Sequence, residues 1–130
     1  MLRDRCASAQ ALVESALVLP VVLLLSLGLV QVVLYVHAHD VLVAAVQDGA
    51  RLAAEQGRAP EEGTTRTRDL VVAGLGHSVE PLVVRASIDN QLVTIDASGA
   101  LRPILPLVSD LSLRAVGRAS RERFRPGGSE

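Results

Sequence analysis

The residues of this 130-residue chain that could do chemistry are few and thinly spaced. His37, His39 and Asp40 are metal-ligand types, but residues two apart on a helix project in different directions, so the three meet at a metal only if the helix breaks. Cys6 is the single thiol, which excludes an intramolecular disulfide and any multi-thiolate site. Gly74-Leu75-Gly76 lacks the third glycine of a dinucleotide loop, and neither a Gly-x-Ser-x-Gly elbow nor a Walker loop occurs. Arg114, Arg118, Arg121, Arg123 and Arg125 could grip phosphates, yet Glu122 and Glu130 dilute the charge and Phe124 is the one stacking residue nearby. Solvation or lipid headgroup contact is the plainer use of these arginines. The expectation is therefore no enzyme, no metal, no cofactor, no small-molecule substrate and no nucleic acid. One charge remains out of place, the carboxylate of Glu14, because of what surrounds it.

Ser15 to Leu34 is a run of twenty residues without a charge, with Ser15, Ser26 and Gln31 as its only polar side chains. At about 1.5 Å per residue such a helix crosses a bilayer and leaves roughly 70 residues for anything else. A large enzyme is excluded by length. Disorder is excluded by 49 % apolar residues and a net charge of −1. Arg3 and Arg5 precede the run and Asp40, Asp48 and Arg51 follow it, which favours a cytoplasmic N-terminus and an exported C-terminal part. Pro20 lies inside the helix, where membrane segments tolerate proline. Gly28, with Ser26, is small enough to admit a neighbouring helix. Tyr35, His37 and His39 mark the outer boundary.

The helix is expected to continue outside the membrane. Leu42, Ala45, Val46, Gly49, Leu52 and Ala53 recur at helical spacing, with Gln47, Asp48, Arg51 and Glu55 on the other side and Arg51 able to pair with Glu55. Gly57 and then Ala59-Pro60 are read as its stop. Glu61-Glu62-Gly63-Thr64-Thr65 reads as a loop with a helix N-cap, and Arg66 to Leu75 as a short helix that ends at Gly76. Leu82, Val84, Ala86 and Ile88 alternate with polar and apolar neighbours, Asp89-Asn90-Gln91 is a turn, and Val93, Ile95 and Ala97 continue as a hairpin. Pro103 and Pro106 break the next stretch, whose Ile104, Leu105, Leu107 and Val108 are candidates to cover a sheet face. Leu111, Leu113, Ala115, Gly117 and Ala119 form a third strand, which leaves Arg114 and Arg118 facing out. The fold class is α+β: a long membrane and stalk helix, a short helix, and a small antiparallel sheet of about three strands that needs the long helix to hide its apolar face.

Three readings fit the start of the chain. A cleaved secretory signal would use Val36-His37-Ala38, but the apolar stretch is too long for it. A plain anchor explains the length and not Glu14. A prepilin-type start has a short basic leader cut before the apolar segment and a glutamate at the fifth mature position, and it explains both.

Ala9-Gln10-Ala11-Leu12-Val13-Glu14-Ser15-Ala16-Leu17-Val18-Leu19-Pro20 resembles the N-terminal signature of TadE-like pseudopilins of the tight-adherence (Flp-type) pilus system, Gly-Gln-Ala-Leu-Val-Glu-Phe-Ala-Leu-x-x-Pro. Gln47-Asp48-Gly49-Ala50-Arg51-Leu52-Ala53-Ala54 resembles the Arg-x-Gly-Ala-Arg-x-Ala-Ala stretch that follows the family's membrane span. Two positions depart from the pattern: Ala9 stands for glycine and Ser15 for the aromatic. The resemblance implies a pilin-like fold with a leader over 1–9, a transmembrane and stalk helix over 10–57 and a small exported domain over 58–130. It further implies a minor pseudopilin cleaved by a prepilin peptidase between Ala9 and Gln10. Glu14 would serve assembly and peptidase recognition, and Gly49, Ala50 and Arg51 would be a stalk motif. The implied partners are the bilayer of the inner membrane, the peptidase, other pilins and the pilus-assembly platform. The alternative is a single-pass anchored protein whose small exported domain binds cell-wall or secretion-system partners.

Overall fold

The computed structural model describes the backbone of residues 2–105 and 108–121, and their side chains from Leu12 onward. Helix α1 (Leu2–Ala54) is followed by helix α2 (Pro60–Leu75) and strands β1 (Val83–Asp89), β2 (Leu92–Leu101) and β3 (Leu111–Ser120). The strands form one antiparallel sheet in the order β1-β2-β3. The α+β architecture matches the expectation.

α1 has 53 residues, a length of about 80 Å. It passes through Ala9 and Gln10 as helix, and it ends three residues before the expected Gly57. Gly57 has a φ of 82°, so it serves the turn that follows the helix. Within that turn Arg58 takes over the carboxylate that sequence spacing assigned to Arg51. Its Nε lies 3.3 Å from Glu55 and its Nη1 2.6 Å from Glu62.

α2 begins six residues earlier than the expected 66. Proline at the first helical position has no N–H to leave unsatisfied and a φ already suited to the helix, so Pro60 starts α2 as well as ending the preceding turn. Ala59 has no side-chain oxygen to act as a cap. Glu62 instead reaches back and accepts the Ala59 N–H at 3.3 Å. The expected loop over 61–65 is instead helix, and inside it the Thr64 and Thr65 hydroxyls both donate to the Glu61 carbonyl (2.8 and 3.0 Å).

The hairpin turn is the two residues Asn90 and Gln91, both at positive φ, which matches the strand twist and closes Asp89 against Leu92. Period-2 alternation sends Val93, Ile95 and Ala97 of β2, and Leu113 and Ala115 of β3, to the inner face. There they meet Leu42, Val46, Ala50 and Ala53 of α1 and Val71 of α2. Arg114 points out as expected and pairs across the sheet with Asp96 at 2.6 Å. Arg66 of α2 pairs with Asp48 of α1 at 2.8 Å. Such exposed pairs are worth about 0–1 kcal/mol and orient more than they stabilise.

Three glycines set how closely these layers approach. A Cβ on Gly117 of β3 would strike the carbonyl of Val46 in α1, with its carbon at 2.5 Å and the Gln47 nitrogen at 2.9 Å. A Cβ on Gly49 would strike Thr67 Oγ1 and lie 2.6 Å from the Gly63 carbonyl; one on Gly63 would lie 2.6 Å from the Gly49 carbonyl. α1 and α2 therefore cross with backbone against backbone. The buried hydroxyl of Thr67 sits at that crossing and donates to Gly63 (2.9 Å) and Ala45 (3.3 Å) carbonyls.

β3 runs beside α1 in the same direction. Near its start the Ser112 carbonyl accepts a hydrogen bond from the Tyr35 hydroxyl (3.4 Å), and just past its end Arg121 Nη2 donates to the Arg58 carbonyl (3.1 Å). Among the described residues of the β2–β3 loop, Ile104 and Val108 do not cover the sheet as expected, and Leu105 is half-buried. α1 and α2 already occupy that face, and Ile104 and Val108 are exposed. Pro106 and Leu107 lie outside the described residues.

Gly117→Ala should cost about 3 kcal/mol, the upper end for overpacking, because the obstacle is helix backbone. Gly28→Ala meets nothing within 4 Å and should cost nothing, since alanine is the better helix former. Thermal unfolding of the detergent-solubilised variants by circular dichroism checks both; equal melting temperatures would refute the close approach. A second expectation concerns pH. The hydrogen bond from Arg58, and then that from the Ala59 N–H, hold the Glu62 carboxyl below its usual range, while Glu62 and then Glu55 raise Arg58. A depressed carboxyl stabilises fully above its unfolded value of about 4.3, and the contribution is lost as pH falls through the lower folded value. Exchange protection in the first turn of α2 should therefore fall relative to β2 below about pH 4. Glu62→Gln should remove that pH dependence.

Candidate functional site

α1 is two helices in one by environment. From Leu12 to Val30 its large apolar side chains are exposed, whereas from Gln31 onward one side is covered by the sheet and α2. A helix this apolar and this uncovered needs a nonaqueous surrounding, and it is long and apolar enough to cross a membrane.

Glu14 sits near the start of that bare half. It is exposed and begins a ridge that continues through Val18 and Val22 at i+4 spacing, beside a second ridge of Ser15, Leu19 and Leu23. Together they line one shallow hollow along the helix. Among the described residues no basic side chain lies within ion-pair distance of Glu14. Pro20 lies within the helix and lacks an N–H, so the Ala16 carbonyl receives no i+4 bond from it. The Ser26 hydroxyl is satisfied internally, donating to the Val22 carbonyl at 2.8 Å. Gly28 faces open space.

The sequence-selected residues divide into two groups along the rod. Ala9 and Gln10 are in the same helical backbone as Glu14, one to two turns before it. Gly49, Ala50 and Arg51 lie about 50 Å further along. Gly49 and Ala50 are buried at the crossing with α2, so their small size serves packing, and Arg51 is exposed. His37 is exposed and His39 half-buried. Arg118 is exposed, Arg121 holds the Arg58 carbonyl, and Arg123 and Arg125 lie outside the described residues.

Sequence reasoning passed over Gln31. Its side chain is only 6 % exposed, and its Oε1 accepts the backbone N–H of Ile104 at 2.7 Å. The signal for it was present, since Gln31 is the one carboxamide in the uncharged run.

Residues 9–51 match the family model described as TadE-like protein. This segment is TadE-like. The match covers about a third of the chain and falls wholly within α1, from the residue before Gln10 to the arginine after Gly49-Ala50. No curated protein and no solved structure matches the chain. Over residues 9–51 the chain is thus similar to TadE-like proteins, and among the described residues it has one helix, bare of protein over its first half, that is long and apolar enough to cross a membrane.

Proposed function

We propose that this TadE-like chain is a minor pseudopilin that takes part in assembly of a tight-adherence pilus. The observation that supports the reading is the family match over 9–51, a stretch that includes Glu14 and the preceding Ala9–Gln10 bond. The chain lies in the inner membrane with its N-terminus cytoplasmic and the sheet outside, as the flanking arginines Arg3 and Arg5 favour. A prepilin peptidase removes residues 1–9, and the new α-amino group is then that of Gln10. The role is non-enzymatic.

Glu14 lies four residues after that terminus, about one turn of helix. A carboxylate in lipid costs about 2.5–3.5 kcal/mol at the bilayer centre and less near the surface. Pairing with the α-amino group of a neighbouring subunit offsets the cost for both charges and fixes how far one rod is displaced along the next. The exposed Glu14 ridge leaves that face free for a neighbour. Other pilins and the assembly platform are the partners this chemistry requires.

Mass spectrometry of chain recovered from membranes with active peptidase should show a terminus at Gln10. An intact Met1 to Arg5 segment would reject cleavage. Glu14→Gln preserves size and removes the charge, so the variant should insert at normal levels. It should nevertheless lose pilus formation, because a neighbour's buried ammonium is left unpaired at a cost of roughly 3–5 kcal/mol. Full pilus assembly by Glu14→Gln would reject the pairing role.

A further inference from the structure

We propose that the β2–β3 loop dips into the outer surface of the bilayer that α1 crosses, giving the protein a second membrane contact made by Ile104 and Val108. The inference rests on the membrane-spanning reading of α1 and adds to it where the folded domain sits.

Depth is the first argument. Gln31 lies three residues inside the end of the uncharged run at Leu34, about 5 Å on the membrane side of it. Its Oε1 accepts the Ile104 N–H at 2.7 Å, so the loop backbone is tied to α1 at that level. The Tyr35 hydroxyl, one turn further out, binds the Ser112 carbonyl and holds the start of β3 there as well.

Chemistry is the second argument. Between Arg102 and Asp110 the loop reads Pro103-Ile104-Leu105-Pro106-Leu107-Val108-Ser109, apolar except for its last residue. Arg102 and Asp110 are both exposed and bracket the apolar segment, as charges at headgroup level would. Ile104 is 52 % and Val108 38 % exposed, so neither is covered by the sheet core. In lipid every backbone donor needs an internal partner. Pro103 and Pro106 have no N–H, the Ile104 N–H is taken by Gln31, and the Val108 N–H bonds the Leu105 carbonyl at 3.2 Å. Pro103, Ile104, Pro106 and Val108 thus present no free backbone N–H to lipid. A loop exposed to solvent has no need of that arrangement.

The chain contains no tryptophan, so one introduced residue is an unambiguous probe. Ile104→Trp and Val108→Trp are separate reporters at exposed positions. Leu24→Trp is the control for the span, and Val116→Trp, on the outward sheet face, is the control for water. The full chain is reconstituted in phosphatidylcholine vesicles brominated near the top of one acyl chain, and fluorescence is compared with unbrominated vesicles. Probes at 104 and 108 should lose at least half their fluorescence to the brominated lipid, as at 24, while 116 keeps its fluorescence and is quenched by acrylamide. Quenching at 24 with 104 and 108 behaving like 116 would overturn the loop insertion and leave the span intact. Probes at 104 and 108 shielded from both quenchers would mean a second copy of the chain covers the loop, and would also overturn it. No lipid quenching at 24 would remove the span itself, and the proposal with it.

Discussion

The contact of Gly117 with the Val46 carbonyl is the constraint on which the rest depends. A side chain at 117 would hold β3 off the helix, and the inner faces of β2 and β3 would no longer close on α1. The crossing of Gly49 with Gly63 does the same for α2. With aromatics at 2 % of the chain, the core is built from Val, Leu, Ile and Ala, which fill little space between layers. Small side chains bury enough surface only if the backbones come close, so the glycines and the aliphatic core are one solution. The Thr67 hydroxyl completes it by accommodating a polar group at the crossing without leaving it unpaired.

This packing explains why one helix can serve two environments. Its C-terminal half is held by the domain, while its N-terminal half stays bare and apolar, as a nonaqueous surrounding requires. The TadE-like match covers residues 9–51 of that helix, including its packing glycine Gly49. Glu14 and Gly49 thus lie in one matched length of rod in different settings, the first exposed and the second buried against the protein's own α2.

Much of this was legible in the sequence because it is local. Twenty uncharged residues, alternation in three strands and a turn at Asn90-Gln91 each declare themselves within a few positions. Glu14 stood out because its neighbours are apolar. What escaped required distant partners. Pro60 reads as a stop from the preceding helix and as a start from the following one, and Glu62 with Arg58 decides in favour of both. Gly63 and Gly117 read as weak points in their elements until the opposing backbones are known. The loop from Arg102 to Asp110 is apolar in sequence and was assigned to the sheet, but that face was already filled. Gln31 was noticed only as an interruption, since nothing local announces an acceptor for a backbone 73 residues away.

The parallel course of β3 and α1 has a mechanical consequence. A pull along the rod, from the membrane end or from the far end, loads their interface in shear, so contacts spread from Tyr35 to Arg58 resist together. The same force applied across the rod would open them one after another, like a zip. Gly117 seated against the helix backbone behaves as a notch in that sliding direction. A pull along the length of α1 is thereby taken along the stronger axis of the fold.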